Sequence, residues 1–210
     1  MKIHVAPVCM LYQPSNKMHA IIKETADVYA AIQCRATRVT FKNKKLVHEL
    51  EHMVDVKYLN VQSLNLKTLP KLPPTLISLD CSDNELTKLP NLPGTLVELN
   101  CSENNLIQLP NLSWTLERLD CSDNQLRRVA ALPPLKKLRC KNNQLTDLPS
   151  LPSSLITLDC SENQLKELPT LPPHLKILLC TVNRLTQLPE LPLTLNKVEY
   201  WGNLIEEDDD

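Results

Sequence analysis

A segment of 20 residues, Thr75 to Gly94, recurs in close variants along most of the chain. The copies share the pattern L-x-x-L-x-C-x-x-N-x-L, followed by a segment similar to L-P-x-L-P. Their second leucine position is spaced by 20 residues with one step of 19, at Leu79, Leu99, Leu119, Leu138, Leu158, Leu178 and Val198. Self-similarity at a short fixed period is typical of solenoid folds, in which each repeat stacks on the next.

Each position of the pattern predicts its own structure. Leu79 and Cys81 are two residues apart, so on a short strand they share the inward face while Asp80 points outward. One strand per repeat then stacks into a parallel sheet. The amide of Asn84 can bond backbone groups where the chain leaves the strand, and its copies predict an asparagine ladder. Prolines in the return segment favour extended or polyproline geometry over helix.

This pattern resembles the leucine-rich repeat family, in particular its short bacterial-type class of L-P-x-L-P repeats seen in YopM-like and IpaH-like effectors. The resemblance covers about residues 56–205. It implies an α/β solenoid, a horseshoe with a parallel concave sheet and an extended convex side, used to bind proteins. IpaH-like proteins carry a ubiquitin-ligase domain with a nucleophilic cysteine, but the last cysteine here, Cys180, is a core position. We therefore expect no ligase activity.

The two ends of the repeat array are expected to differ from its middle. Degenerate strands at Arg38 to Phe41 and Lys57 to Val61 bring the predicted total to about nine. Residues 1–36 are expected to form an N-terminal cap, residues 37–205 the repeats, and residues 206–210 an acidic tail. The cap is predicted to contain a helix from Lys17 to Cys34, with a binding helix as the alternative. Its expected N-cap is Ser15 or Asn16. Its expected apolar stripe consists of Met18, Ile21, Ile22, Tyr29 and Ile32.

Composition predicts one soluble domain. The chain has 210 residues, 42% of them hydrophobic, and a formal charge of -1, which gives no reason to expect nucleic acid as a partner. There is no transmembrane run, and His4 and Pro7 interrupt the short apolar patch at the start, so a secretory signal is not expected. Six cysteines share the inward repeat position and are predicted to be reduced and free of metal, with a zinc site as the alternative. Buried thiols favour a reducing compartment, the cytoplasm.

No catalytic constellation emerges, and we expect no enzyme activity and no cofactor. The five histidines are expected to lie outside the concave positions. His48 to His52 matches H-E-x-x-H, which in a regular helix with a third ligand binds zinc. Here the segment falls between two predicted strands, so we interpret it as a solvated connector, with a metal site as the alternative.

Variable outward residues on a constant interior predict a binding surface for a protein partner. Its predicted positive centre consists of Arg118, Lys137, Arg139 and Lys141. Its predicted acidic surround consists of Asp80, Asp120, Asp159 and Glu199. The alternative is that these charges only pair across strands, Arg139 with Asp120 and Asp159, and Lys141 with Asp123 and Glu162.

Apolar candidates for the same surface lie near the end of the array. Ile177, Leu179 and Val182 form a predicted patch near Trp201, and Trp114 is a candidate interface anchor. Tyr200 and Trp201 are expected mainly to cover the last core layer. The sequence thus predicts a non-enzymatic interaction protein, effector-like in a host cytoplasm. The alternative is a structural or self-assembling component, for example of a virion.

Overall fold

The computed structural model describes residues 19–205, in which ten strands form one parallel sheet in sequence order. The strands are β1 His19–Ile22, β2 Arg38–Phe41, β3 Tyr58–Asn60, β4 Ser78–Asp80, β5 Glu98–Asn100, β6 Arg118–Asp120, β7 Lys137–Arg139, β8 Thr157–Asp159, β9 Ile177–Leu179 and β10 Lys197–Glu199. The α/β solenoid with a parallel sheet is confirmed. The sheet has ten strands, against about nine predicted.

The strands stack in the register that the repeat predicts. Leu79 pairs with Leu59 on one side and Leu99 on the other, and the same column continues to Val198. The single 19-residue step leaves this column intact, because Leu119 still pairs with Leu138. The turn before β7 is one residue shorter than the other turns. There the Leu135 N–H bonds to the Pro133 carbonyl at 2.6 Å, two residues back, whereas the equivalent bond in other turns reaches three residues back.

The predicted asparagine ladder is confirmed, and Asn124 illustrates it. Its Nδ2 lies 3.0 Å from the Cys101 carbonyl of the preceding turn, 3.2 Å from the Cys121 carbonyl and 2.9 Å from the Ser122 carbonyl. Its Oδ1 accepts the N–H of Leu106 at 2.9 Å. Each such amide therefore joins two turns and supplies a partner for a backbone N–H of the preceding turn that would otherwise have none.

The six repeat cysteines form a second buried row, each with no exposed area. Several of their thiols lie close to a carbonyl of the following turn, for example Cys121 Sγ at 3.3 Å from the Arg139 oxygen. In the turn before Cys81 the same inward place is taken by Val61, also fully buried. The row therefore accepts a small apolar side chain in place of the thiol.

A third row, which the sequence analysis did not predict, lies where the chain enters each strand. Thr95 Oγ1 is 2.9 Å from the Pro74 carbonyl and 2.8 Å from the Leu76 carbonyl of the preceding turn. The residues that play this part are Thr75, Thr95, Thr115, Ser154 and Thr194. Hydroxyls thus tie the turns together at the start of the strand, as the asparagines do at its end.

The start of the array differs from the prediction. Helix α1 covers only Thr25–Gln33, because His19–Ile22 pairs with β2 as a strand. Glu24 caps the helix in a capping box with Asp27, whose Oδ2 accepts the Glu24 N–H at 3.0 Å. The predicted caps Ser15 and Asn16, together with Met18, lie outside the described residues.

The apolar stripe predicted for this helix is also wrong in part. Ile22 is buried, but in β1, while Tyr29 is 65% exposed; the helix buries Val28 and Ala31 instead. The helix lies between β1 and β2 in sequence and contacts β1 and a 3-10 helix, Lys44–His52, so it belongs to the first described turn. That residues 1–36 act together as a cap stays a prediction, and the predicted tail at 206–210 lies outside the described residues. None of the helices within residues 19–205 is long and apolar enough to cross a membrane.

Candidate interaction surface

The outward side chains of the ten strands form two parallel rows, which together we call the concave face. The first row is His19, Arg38, Tyr58, Ser78, Glu98, Arg118, Lys137, Thr157, Ile177 and Lys197. The second row is Ile21, Thr40, Asn60, Asp80, Asn100, Asp120, Arg139, Asp159, Leu179 and Glu199. The expectation that all histidines lie outside these positions is wrong for His19, because β1 adds a strand. Burial and the charge of Arg38 lower the pKa of His19.

Three of the four residues of the predicted positive centre are paired with carboxylates. Arg118 Nε lies 2.8 Å from Glu98 Oε1 on the neighbouring strand. Arg139 Nη1 lies 3.5 Å from Asp120 Oδ2. Lys141 Nζ lies 3.1 Å from Glu162 Oε1, a hydrogen bond that raises the pKa of Lys141.

The predicted cross-strand pairing is thus confirmed for Arg139 with Asp120 and for Lys141 with Glu162. The predicted contacts of Arg139 with Asp159 and of Lys141 with Asp123 are not found at ion-pair distance. Instead, Asp123 Oδ1 accepts the side-chain amide of Asn142 at 2.7 Å, and Asp159 Oδ1 accepts the Ser161 N–H at 3.3 Å. Arg139 and Lys141 therefore each pair with one carboxylate, whereas Arg118 contacts both Glu98 and Glu117.

Lys137 is the exception in the positive centre. It is half-buried in the middle of the first row, and no ion pair forms at its ammonium among residues 19–205. It lines a shallow depression of about 230 Å³ together with Asp80, Asn100, Arg118 and Asp120. A half-buried cation without a counter-ion is the group on this face with the most to gain from a carboxylate of a partner.

The predicted acidic surround has a structural task that the sequence analysis did not recognise. Asp80 Oδ1 accepts the N–H of Ser82 at 3.2 Å, and Asp120 Oδ1 accepts that of Ser122 at the same distance. The signal was present, since Asp or Asn stands two residues before Ser in most copies. These side chains hold the bend after each strand, and only their remaining oxygens face a partner. Glu199 differs, because it pairs with Lys197 at 2.9 Å on the sheet edge.

The residues of the predicted apolar patch lie near the end of the array, and that they form one binding patch stays a prediction. Ile177 and Leu179 are half-buried on β9, Val182 is exposed, and its N–H bonds to the Trp201 carbonyl at 2.9 Å. Tyr200 is 43% exposed and Trp201 65% exposed, and that these aromatics cover the last core layer stays a prediction. Trp114, at 76% exposed, lies in the loop before β6 and outside the two rows.

Val182 has a left-handed backbone with φ of 52°, which a β-branched residue rarely adopts. Other turns fill this place with polar residues, such as Asn142 with φ of 50°. We expect Val182→Asn to raise the free energy of unfolding by about 1 kcal/mol, because the strain is relieved. Urea unfolding checks this, with Asn142→Val as the matched reverse change; equal stability of both variants and the parent protein would contradict the strain.

The histidines of the H-E-x-x-H segment lie in the 3-10 helix Lys44–His52 and are both exposed. His48 Nε2 is 3.1 Å from Glu49 Oε1, and His52 Nε2 is 3.9 Å from Glu49 Oε2. Within the part of the chain that the structure describes, no group of three or more His, Cys, Asp or Glu side chains could hold a metal ion. The predicted connector between two strands is therefore a short helix.

Comparisons with known proteins agree with this geometry. Residues 114–153 match the family described as Leucine Rich repeats (2 copies). YopM from Yersinia enterocolitica WA-314 is 44% identical with a TM-score of 0.73, covering 73% of this chain and 35% of that one. YopM from Yersinia pestis, a leucine-rich effector protein, is 30% identical with a TM-score of 0.75, covering 85% and 52%. No curated protein sequence matches the chain.

The chain therefore spans about a third to a half of the YopM structures that it matches. It spans more of a third structure, the leucine-rich repeat domain of a Shigella effector. That domain is 35% identical with a TM-score of 0.65, and the match covers 70% of this chain and 69% of the domain. Given this identity, the stacked parallel strands and the asparagine ladder, the chain belongs to the leucine-rich repeat family, in its bacterial type.

Proposed function

We propose that the chain is a non-enzymatic interaction module that binds a protein partner through the concave face, with Lys137 at the centre of the contact. The leucine-rich repeat fold and its effector relatives support an interaction module. The observation that carries the choice of site is the lack of an ion pair at Lys137 among the described residues, next to the paired Arg118 and Arg139. A partner carboxylate can reach Lys137 without breaking an existing pair.

The charges around Lys137 restrict what the partner can be. Asp80 and Asp120 lie in the same depression, so a long acidic run would meet carboxylates on one side of its contact. Like charges brought together across an interface cost free energy and exclude wrong partners. We therefore propose a partner surface with one acidic side chain flanked by basic or polar ones.

The proposed place of action is the cytoplasm of a host cell. The relatives named as effectors support a role in a host. The row of buried thiols supports a reducing compartment, because such thiols persist there without oxidation. Fractionation of infected or transfected cells, with detection of the chain in the soluble fraction, tests this part of the proposal.

Lys137→Ala is expected to weaken partner binding at least about tenfold while leaving stability nearly unchanged, because no intramolecular ion pair is lost. Arg139→Ala removes the pair with Asp120 and is expected to cost about 0 to 1 kcal/mol of stability. The partner is first captured from a host-cell lysate and identified by mass spectrometry. Its affinity is then measured by calorimetry, and stability by urea unfolding.

Lys88→Ala is the matched control, since Lys88 is exposed on a return segment away from the concave face. It should bind the captured protein like the parent. If the Lys137→Ala and Lys137→Ala/Arg139→Ala variants also bind like the parent, the concave charges only stabilise the sheet and the proposed site is wrong.

A further inference from the structure

The last described turn leaves one side of the apolar core without a neighbour. Among the ten strands of residues 19–205, β9 alone pairs with β10. Val198 is only half-buried, whereas Leu178, which occupies the same place one turn earlier, has no exposed area. Four large apolar side chains of the same turn are exposed: Leu191, Leu193, Tyr200 and Leu204. Leu193 is fully exposed.

The backbone of β10 also has a free side. Lys197 N–H bonds to the Lys176 carbonyl at 3.1 Å, and the Glu199 carbonyl accepts the Cys180 N–H at 2.9 Å, so both residues direct their backbone groups towards β9. Alternate residues of a strand face opposite neighbours. The N–H and C=O of Val198 therefore point away from the sheet. An open edge of this kind pairs readily with another strand.

We propose that this edge pairs with the same edge of a second copy of the chain, antiparallel and two-fold symmetric about Val198. In this register the two Val198 residues exchange two backbone hydrogen bonds. The two-fold axis also sets Lys197 of each copy opposite Glu199 of the other, which gives two cross-strand pairs of opposite charge. The exposed apolar layers of the two ends meet beneath the joined sheet.

The charges select this register over its neighbours. Sliding the strands by two residues in either direction sets Lys197 opposite Lys197, or Glu199 opposite Glu199, and like charges directly opposite are destabilising. Head-to-tail stacking of β10 on β1 would set Lys197 opposite His19 and Glu199 opposite Ile21, with no complementary pair. Lys197 and Glu199 already pair within one strand at 2.9 Å, and the two-fold arrangement adds a cross-strand partner of opposite charge to each while also pairing the backbone of Val198.

The mass of the full chain in solution, measured by sedimentation equilibrium with a reducing agent, is the first test. We expect a concentration-dependent equilibrium between the 23.8 kDa chain and a species of twice this mass. Lys197→Glu and Glu199→Lys each convert both charge pairs into like-charge pairs and should weaken the dimer about tenfold or more. The double variant Lys197→Glu/Glu199→Lys should restore it.

Lys88→Glu changes the net charge as Lys197→Glu does, on an exposed return segment, and should leave the dimer unchanged. A single 23.8 kDa species at every concentration would overturn the proposal. So would open-ended assemblies larger than a dimer, a dimer insensitive to both single variants, or a double variant that fails to restore it. Far-ultraviolet circular dichroism confirms that each variant is folded.

A covalent test reads the register directly. Hydrogen-bonded residues opposite each other in an antiparallel pair have Cα atoms about 5.5 Å apart, within the range of a disulfide. Oxidised Val198→Cys should therefore form a linked dimer on a non-reducing gel. Lys197→Cys should not, because its opposite neighbour is Glu199. Linking of both variants to the same extent, or of neither, would contradict the two-fold register. None of these outcomes depends on partner binding at Lys137.

Discussion

The free energy of unfolding is expected to fall steeply as the pH rises above about 9, because the six repeat thiols are buried. Burial raises the pKa of Cys81, Cys101, Cys121, Cys140 and Cys160 well above the ordinary value of 9.0, and that of Cys180 to about 11. Nearby thiols and the carboxylates at Asp80, Asp120 and Asp159 act in the same direction. In the unfolded chain these groups ionise freely.

The direction of the effect follows from proton binding. At a pH above 9.0 the folded chain keeps protons on its thiols that the unfolded chain has released. The stabilising contribution is therefore complete below 9.0 and is lost as the pH rises above it. Each such thiol contributes a slope of about 1.4 kcal/mol per pH unit, so five give about 7 kcal/mol per pH unit. A typical domain has about 5 to 15 kcal/mol of stability in total, so unfolding is expected within about one to two pH units.

Valine is the matched control substitution for these cysteines, because Val61 already fills the cysteine position of the turn before Cys81 and is fully buried there. Replacing all six cysteines by valine should remove the steep loss while leaving the slower effect of lysine and tyrosine ionisation. Cys121→Val alone should reduce the slope by about 1.4 kcal/mol per pH unit. The measurement is urea unfolding followed by circular dichroism from pH 7 upward, under reducing conditions. Identical slopes in the parent and the six-valine variant would show that the thiols do not control alkaline unfolding.

Much of the fold was predictable because the same residue types recur at the same positions of each repeat. Three positions of the repeat each have one physical reason to recur: leucine at Leu79, cysteine at Cys81 and asparagine at Asn84. The structure contains all three of these predicted rows, of leucine, cysteine and asparagine side chains. The first turn was not predictable in the same way. Ile21 and Ile22 fit a helical stripe as well as a strand, and pairing with β2 decides for the strand.

The candidate surface was predictable in outline, because the strand register fixes which side chains lie in each row. Which of its charged side chains form ion pairs was not predictable. Lys137 and Arg139 are equivalent in the sequence, but Arg139 reaches Asp120 while Lys137 lacks an ion pair among the described residues. That difference depends on side-chain geometry at distances of a few ångströms. The second task of Asp80 and Asp120, holding the backbone two residues on, was also hidden by their exposed strand positions.

Asn124→Ala is expected to lower the free energy of unfolding by about 1 to 3 kcal/mol, because it leaves the Leu106 N–H without a partner. The Leu106 N–H loses its bond to Oδ1, and the Cys101 carbonyl loses one of its two amide donors but keeps Asn104 Nδ2 at 3.2 Å. Both groups belong to the preceding turn, so the change weakens the contact between turns as well as one bend. Thermal unfolding should show a fall in Tm of roughly 5 °C.

Asn105→Ala is the matched control, since the two asparagines differ mainly in burial. The Asn105 side chain is exposed, and its Oδ1 accepts one bond from the Gln125 amide at 3.2 Å. Its loss is expected to change stability by no more than about 0.5 kcal/mol. Because each turn of a solenoid contacts only its neighbours, a weak junction at Asn124 also allows the two halves to unfold separately. Hydrogen exchange of Asn124→Ala should then show lower protection on both sides of the junction, whereas equal Tm values for the two variants would mean that the ladder does not hold the turns together.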